Sequence, residues 1–268
     1  MKTSYALVLA SAIILTLGAI PAQAITLSNR TFVSGTTGAD TGTCPITAPC
    51  ASFSYALSQT VAGGEIDCLT PGDFGGSGQG VTITKSVSIV CDGVSNGGIL
   101  NTNSGGPTIS INAGSGAVVY LSGLDLNGLA FAGAIGVEVL SGSTVYIAHC
   151  KIRSFADYGV SVFSSTNPTR VFIKDSIIVN NRTGVLVEAQ SSATNAAIIV
   201  NTVIDGNSSV AAGGDNDSGT SVLALENTVL SGSPTGLGLG TGASAELIGP
   251  SNTIAGAITG TTTSVAFK

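Results

Sequence analysis

The chain has 268 residues, 43% of them hydrophobic and only 9% charged, with 37 glycines, one histidine and no tryptophan. That mix excludes a disordered chain, which needs low hydrophobicity or high charge, and the scarcity of Glu, Lys, Gln and Arg argues against a helical bundle. Nine basic against fifteen acidic residues give a net charge of −6, so no basic surface is expected for nucleic acid.

Residues 1–24 read as a secretory signal peptide. Lys2 supplies the positive start, Tyr5 to Ile20 is almost wholly apolar, and Ala22-Gln23-Ala24 has the small-x-small spacing of a cleavage site. A retained anchor is the rival reading; the shortness of the run and Pro21 count against it. No later apolar run is long enough to cross a bilayer. The cleaved chain is therefore expected to be secreted or periplasmic, without membrane insertion.

Residues 25–80 are expected to form an N-terminal cap and a first strand. Cys44 and Cys50 bracket a short loop bounded by two prolines, a candidate local disulfide. Cys68 and Cys91 sit in similar strand-like surroundings and can pair if those strands are neighbours. Cys150 is then left as a buried, inert thiol. One histidine and no Cys-x-x-Cys pair speak against zinc, and no metal site is expected. Phe53, Ala56, Leu57 and Thr60 recur at helical spacing, which predicts an amphipathic helix over 51–60 with Gly63-Gly64 as its stop. Such a helix is the natural lid for an exposed sheet edge.

Residues 81–268 are organised by a period of 26. Leu121, Ile147, Ile173, Ile199 and Leu225 fall at that interval, as do Leu126, Ile152, Ile178, Ile204 and Leu230. A third column, Val119, Val145, Val171, Ala197 and Leu223, lies two residues before the first, the alternation of a strand with one face inward. A further strand precedes each pair, as in Ile135-Gly-Val-Glu-Val and Thr183-Gly-Val-Leu-Val; the copy around Ala211 is degraded. Between the paired strands stand Gly123, His149, Asp175, Asn201 and Asn227, residue types that tolerate a left-handed backbone. Three short strands per coil and inward aliphatic columns describe an all-β parallel solenoid of about seven coils, capped by the helix.

The order of features resembles the right-handed parallel β-helix proteins of the broad pectate-lyase-like superfamily. In particular it is similar to small secreted bacterial members whose mature chains open with Arg-Thr-Phe-Val-Ser-Gly, here Arg30 to Gly35. Ala48-Pro-Cys-Ala-Ser-Phe, Ala62-Gly-Gly-Glu-Ile-Asp-Cys68 and Val81-Thr-Ile-Thr-Lys-Ser86 carry the rest of the likeness. The resemblance implies the fold. It implies no single activity, because the superfamily holds lyases, hydrolases, epimerases, adhesins and scaffolds. The Asp-Asp pair and the Gly-His-Gly and Arg-Ile-Lys motifs expected of galacturonan hydrolases are missing, and the outward row Glu138, Ser161, Leu186 and Gly238 holds one carboxylate and no base.

Three sets of residues remain as candidates. Tyr120, Tyr146 and Phe172, continued by Ile198, share the 26-residue register and form an outward aromatic stripe, either a platform for a glycan or ordinary cross-strand packing. His149 beside Asp175 is either a catalytic base with its partner or one more turn in a polar ladder. Asp125, Lys151 and Arg153 fall on adjacent coils, as an ionic recognition site or a surface salt bridge. The Gly-rich segment 213–219 is a calcium candidate whose ordinary reading is a solvated turn. The leading expectation is an extracellular scaffold that binds a glycan or a cell-surface component; the alternative is a polysaccharide lyase or glycoside hydrolase. Self-association through the thinly capped C-terminal coil is a third.

Overall fold

The computed structural model describes residues 27–265 apart from 77–79, 104, 131, 166–167, 217–218 and 261. The segment read as a signal peptide lies outside the described residues.

Alternation of inward aliphatic and outward residues builds three parallel sheets around one core. A ten-stranded first sheet runs from Ser28–Val33 to Thr262–Val265, an eight-stranded second sheet from Val81–Ile83 to Ala257–Thr259, and an eight-stranded third sheet from Gly72–Asp73 to Thr253–Ile254. The chain visits the second, first and third sheets in turn, as in Ile135–Val139, Thr144–Ala148 and Lys151–Arg153. Seven complete rounds lie between Val81 and Ile254 among the described residues, matching the expected coil number.

All three aliphatic columns pair in register, and their members are at most 1% exposed. Each buried Val, Leu or Ile contributes about 1.5–3 kcal/mol against the entropy of ordering the coil. At the corner between the first and third sheets, Gly123, His149, Asp175, Asn201 and Asn227 all have φ between 45° and 70°, the left-handed turn that their side chains predicted. The corner into the second sheet is held from inside: Asn181 Oδ1 accepts the Phe155 N–H, and Asn207 Oδ1 accepts the Asn181 N–H. Glycine follows there for a steric reason. A methyl group on Gly136, Gly159 or Gly184 would meet the carbonyl oxygen of the next coil at 2.4–2.7 Å.

The period is not uniform. Ile89 pairs with Leu121, a step of 32 residues, and Val137 pairs with Val160, a step of 23. Loops between sheets absorb the difference, and the inward register survives.

The expected helix spans Phe53–Gln59, with Ser52 accepting the Tyr55 N–H as its cap and Phe53, Ala56 and Leu57 buried. Phe53 packs on Phe74 with ring centroids 5.0 Å apart, and Lys85 Nζ donates to the carbonyls of Leu57 and Thr60 at the helix end. The glycines do not stop it. Thr60 turns to extended geometry to pair with Ser28, and Gly63 and Gly64 lie inside the strand Thr60–Cys68. Both candidate disulfides form, Cys44 with Cys50 and Cys68 with Cys91, while Cys150 is a buried free thiol.

The first half of the Gly-rich segment, residues 213–216, is another correction, and 217–218 lie outside the described residues. Val210–Asn216 is a strand of the second sheet, paired on both sides, and Gly213 and Gly214 are buried. A solvated turn cannot occupy that position, because the backbone groups are already used in the ladder. Among the described residues, no three His, Cys, Asp or Glu side chains are grouped to hold a metal ion.

Candidate binding site

The outward row of the second sheet explains a depression in the surface. Ser110, Glu138, Ser161, Leu186, Gly213 and Gly238 are successive register partners across six coils. Side chains fill the row as far as Leu186 and then cease. Where Gly213 and Gly238 stand, the surface falls into a trough of about 440 Å³ lined by Tyr158, Arg182, Leu186, Glu188, Asp215 and Thr259, among others. Glu188 and Asp215 are direct register partners on adjacent coils, and Gln190 donates to Glu188 Oε1 at 2.7 Å. Gly240 leaves the space that the Asp215 carboxylate takes, since a methyl there would lie 2.4 Å from Asp215 Oδ1. The trough is therefore lined by two carboxylates, a phenol ring and the guanidinium of Arg182, which pairs with Asp157 at 3.7 Å, around a backbone floor. Higher in the row, burial pushes the Glu138 carboxyl above the ordinary carboxylate range.

The single histidine sits elsewhere, in the polar ladder at the corner of the first and third sheets. Asn227 Nδ2 donates to Asn201 Oδ1 at 2.8 Å, and Asn201 Nδ2 to Asp175 Oδ1 at 3.1 Å. His149 Nε2 lies 3.8 Å from Asp175 Oδ2, beyond hydrogen-bond length, whereas its Nδ1 lies 3.1 Å from Asp92 Oδ1. Asp92 was not among the candidates. It reaches His149 because the intervening Gly123 has no side chain, and a 26-residue period hides it because that coil is longer. Buried Ser122 donates to the other oxygen of that carboxylate, Asp92 Oδ2. With its side chain 56% exposed between two carboxylates, His149 is placed as a rung of the ladder.

Asp125 and Arg153 do meet. Arg153 Nε and one terminal nitrogen each lie 3.1 Å from an Asp125 oxygen, a bidentate pair on the third sheet. Lys151 lies directly beside Asp125 in register and is exposed. A depression of about 150 Å³ adjoins the pair, lined also by Asp73 and Asn127. Asp73 Oδ1 is already committed to the backbone N–H groups of Gly75 and Leu100.

The aromatic stripe forms on the first sheet as its register predicts. Tyr120, Tyr146, Phe172 and Ile198 are successive partners. Tyr146 and Phe172 are stacked at 5.0 Å with planes 13° apart, and Tyr120 is tilted against Tyr146 at 6.1 Å. Tyr146 and Phe172 share one stacked face, and an apolar depression of about 200 Å³ lined by Tyr120, Tyr146, Phe172, Lys174 and Ile198 opens along the stripe.

Comparison with known proteins agrees with this architecture. The sequence profile described as "Right handed beta helix region" matches residues 74–249. The chain belongs to the right-handed β-helix family. No curated protein matches this β-helix chain. Among solved structures it is similar to the crystal structure of pectate lyase Pel9A, at 14% identity over 89% of this chain and 80% of that one, with a TM-score of 0.43. The β-helix protein thus carries its functional information in its own surface chemistry.

Proposed function

We propose that the protein is an extracellular carbohydrate-binding scaffold that takes an extended glycan in the glycine-floored trough of the second sheet. The observation that carries this reading is the change from side chains to glycines at Gly213 and Gly238, which opens a trough across successive coils. Its size is that of a ligand site, and its lining suits sugar hydroxyls: Glu188 and Asp215 as acceptors, Arg182 as donor and the Tyr158 ring as an apolar face. Two disulfides fit an oxidising, extracellular compartment. The aromatic stripe supports binding less well, because Tyr146 and Phe172 are stacked on each other and Lys174 is the one charged side chain in the depression they line.

The trough can be filled without disturbing the coil. A methyl on Gly238 would find its nearest neighbours at 3.4 Å, ordinary contact, so Gly238→Leu adds a side chain outward into the trough. Calorimetric titration against a panel of neutral, acidic and amino-sugar polysaccharides is the test. Gly238→Leu and the pair Glu188→Gln with Asp215→Asn are expected to weaken binding by about tenfold or more, while Tyr120→Ala with Tyr146→Ala leaves it intact. Trough variants that bind like the parent protein overturn the proposal. The pairing of Glu188 with Asp215 on adjacent coils favours a second reading, hydrolysis of the bound glycan by two carboxylates. Release of reducing ends that Glu188→Gln abolishes would establish it over binding alone.

A further inference from the structure

We infer that the outer face of the first sheet is a self-complementary surface on which a second copy of this chain docks antiparallel, with a twofold axis along the strand at Ile198. Three outward rows cross the strands Thr144–Ala148, Thr169–Lys174, Thr194–Val200, Thr220–Glu226 and Ala243–Ile248. The middle row reads Tyr146, Phe172, Ile198, Ala224, Glu246, and one flanking row reads Ala148, Lys174, Val200, Glu226, Ile248. The bulky rings and the cation lie before Ile198, whereas the small residue and the carboxylates lie after it.

A twofold axis through Ile198 and parallel to the strands reverses the order of coils and keeps the rows. It sets Phe172 over Ala224 of the second copy, Lys174 against Glu226, Tyr146 against Glu246, and Ala148 under Ile248. Large meets small at Phe172 and Ala224, cation meets anion at Lys174 and Glu226, and the Tyr146 phenol faces a carboxylate acceptor, while in the third row Arg170 falls over Val222. Turning the axis along the solenoid instead would bring Arg170 of one copy onto Lys174 of the other, since both lie on one strand in opposite flanking rows. Like charges would then meet. Tyr146 is 37% exposed and Ile198 and Val200 are half-buried, so the face is open in the single chain. Four intervals of ~4.8 Å from Thr144–Ala148 to Ala243–Ile248, by strands of about 17 Å, give about 330 Å² of contact per copy. That is smaller than a stable specific interface and describes a weak, transient dimer.

Sedimentation of the full chain over about 10 μM to 1 mM tests the inference, the range in which a weak dimer forms. The parent protein is expected to dimerise. Lys174→Glu alone and Glu226→Lys alone should each weaken the dimer by about tenfold or more, and the two together should restore it. Thermal unfolding of each variant confirms that the coils are intact. A chain that stays monomeric throughout, or a dimer whose double exchange is no tighter than either single one, overturns the inference.

Discussion

His149 Nδ1 stands 3.1 Å from Asp92 Oδ1, although 57 residues separate them. The contact exists because Gly123, between them in the stack, has φ 70° and no side chain. His149 itself holds φ 53°, a conformation that costs an ordinary L residue about 1–2 kcal/mol. His149→Ala is therefore expected to lower stability by less than about 1 kcal/mol in denaturant titration, and His149→Asn to lower it less than that, since Asn tolerates the turn at least as well as His. Equal losses for the two would show that the Asp92 contact, not the turn, dominates.

Cys150 is held in a column whose other members are Ser176, Thr202 and Thr228. Each side chain reaches back two residues: Cys150 Sγ to the Ala148 carbonyl, Ser176 Oγ to Lys174, Thr202 Oγ1 to Val200 and Thr228 Oγ1 to Glu226. Burial pushes the thiol up to about 12. The folded protein should resist alkylation of Cys150 at pH 8, and Cys150→Ser should change stability by less than about 1 kcal/mol. Rapid native labelling would contradict the burial.

Glu138 gives a pH dependence with a definite sign. Its folded pKa is raised by burial, so the associated stability is fully present below the unfolded value of about 4.3 and is lost as pH rises through the folded pKa. Glu138→Gln should melt higher than the parent protein at pH 7, by less than about 1 kcal/mol because solvent screens a half-exposed group. The gap should close below about pH 4. A gap that widens on acidification would reverse the assignment.

Glycine positions separate into two kinds. A methyl on Gly184 would lie 2.4 Å from both the Ala211 carbonyl oxygen and Ile204 Cγ2, whereas on Gly238 it meets nothing closer than 3.4 Å. Gly184→Ala should cost about 1–3 kcal/mol through overpacking, and Gly238→Ala should be near neutral by chemical denaturation. Comparable losses at both sites would mean that the second sheet is less tightly stacked at Gly184 than its geometry states.

Much of the fold is legible in the chain because one constraint repeats. Leu121, Ile147 and Ile173 must occupy the same inward place in successive coils, and the turn residues after them must accept positive φ. The same periodicity hides whatever departs from it. Asp92 lies across the 32-residue step from Ile89 to Leu121, so its contact with His149 has no signature at 26. The trough is hidden for a different reason. It is made by missing side chains, and Gly213 and Gly214 read as a turn until the ladder on both sides shows them to be a strand. Helix termination failed similarly, since pairing of Thr60 with Ser28 outweighs the local glycine signal.

The stacking direction also sets how the molecule yields under load. Hydrogen bonds between coils lie along the solenoid axis, so tension on the two ends of the chain opens them rung by rung instead of shearing many at once. Each 26-residue coil peeled from the C-terminal end lengthens the tether by at most about 90 Å. The peeling meets a hard stop at Cys91, where the bond to Cys68 takes the segment between them out of the extensible length. A solenoid built this way gives slack gradually from its C-terminal end and keeps its helix-capped N-terminal coil intact.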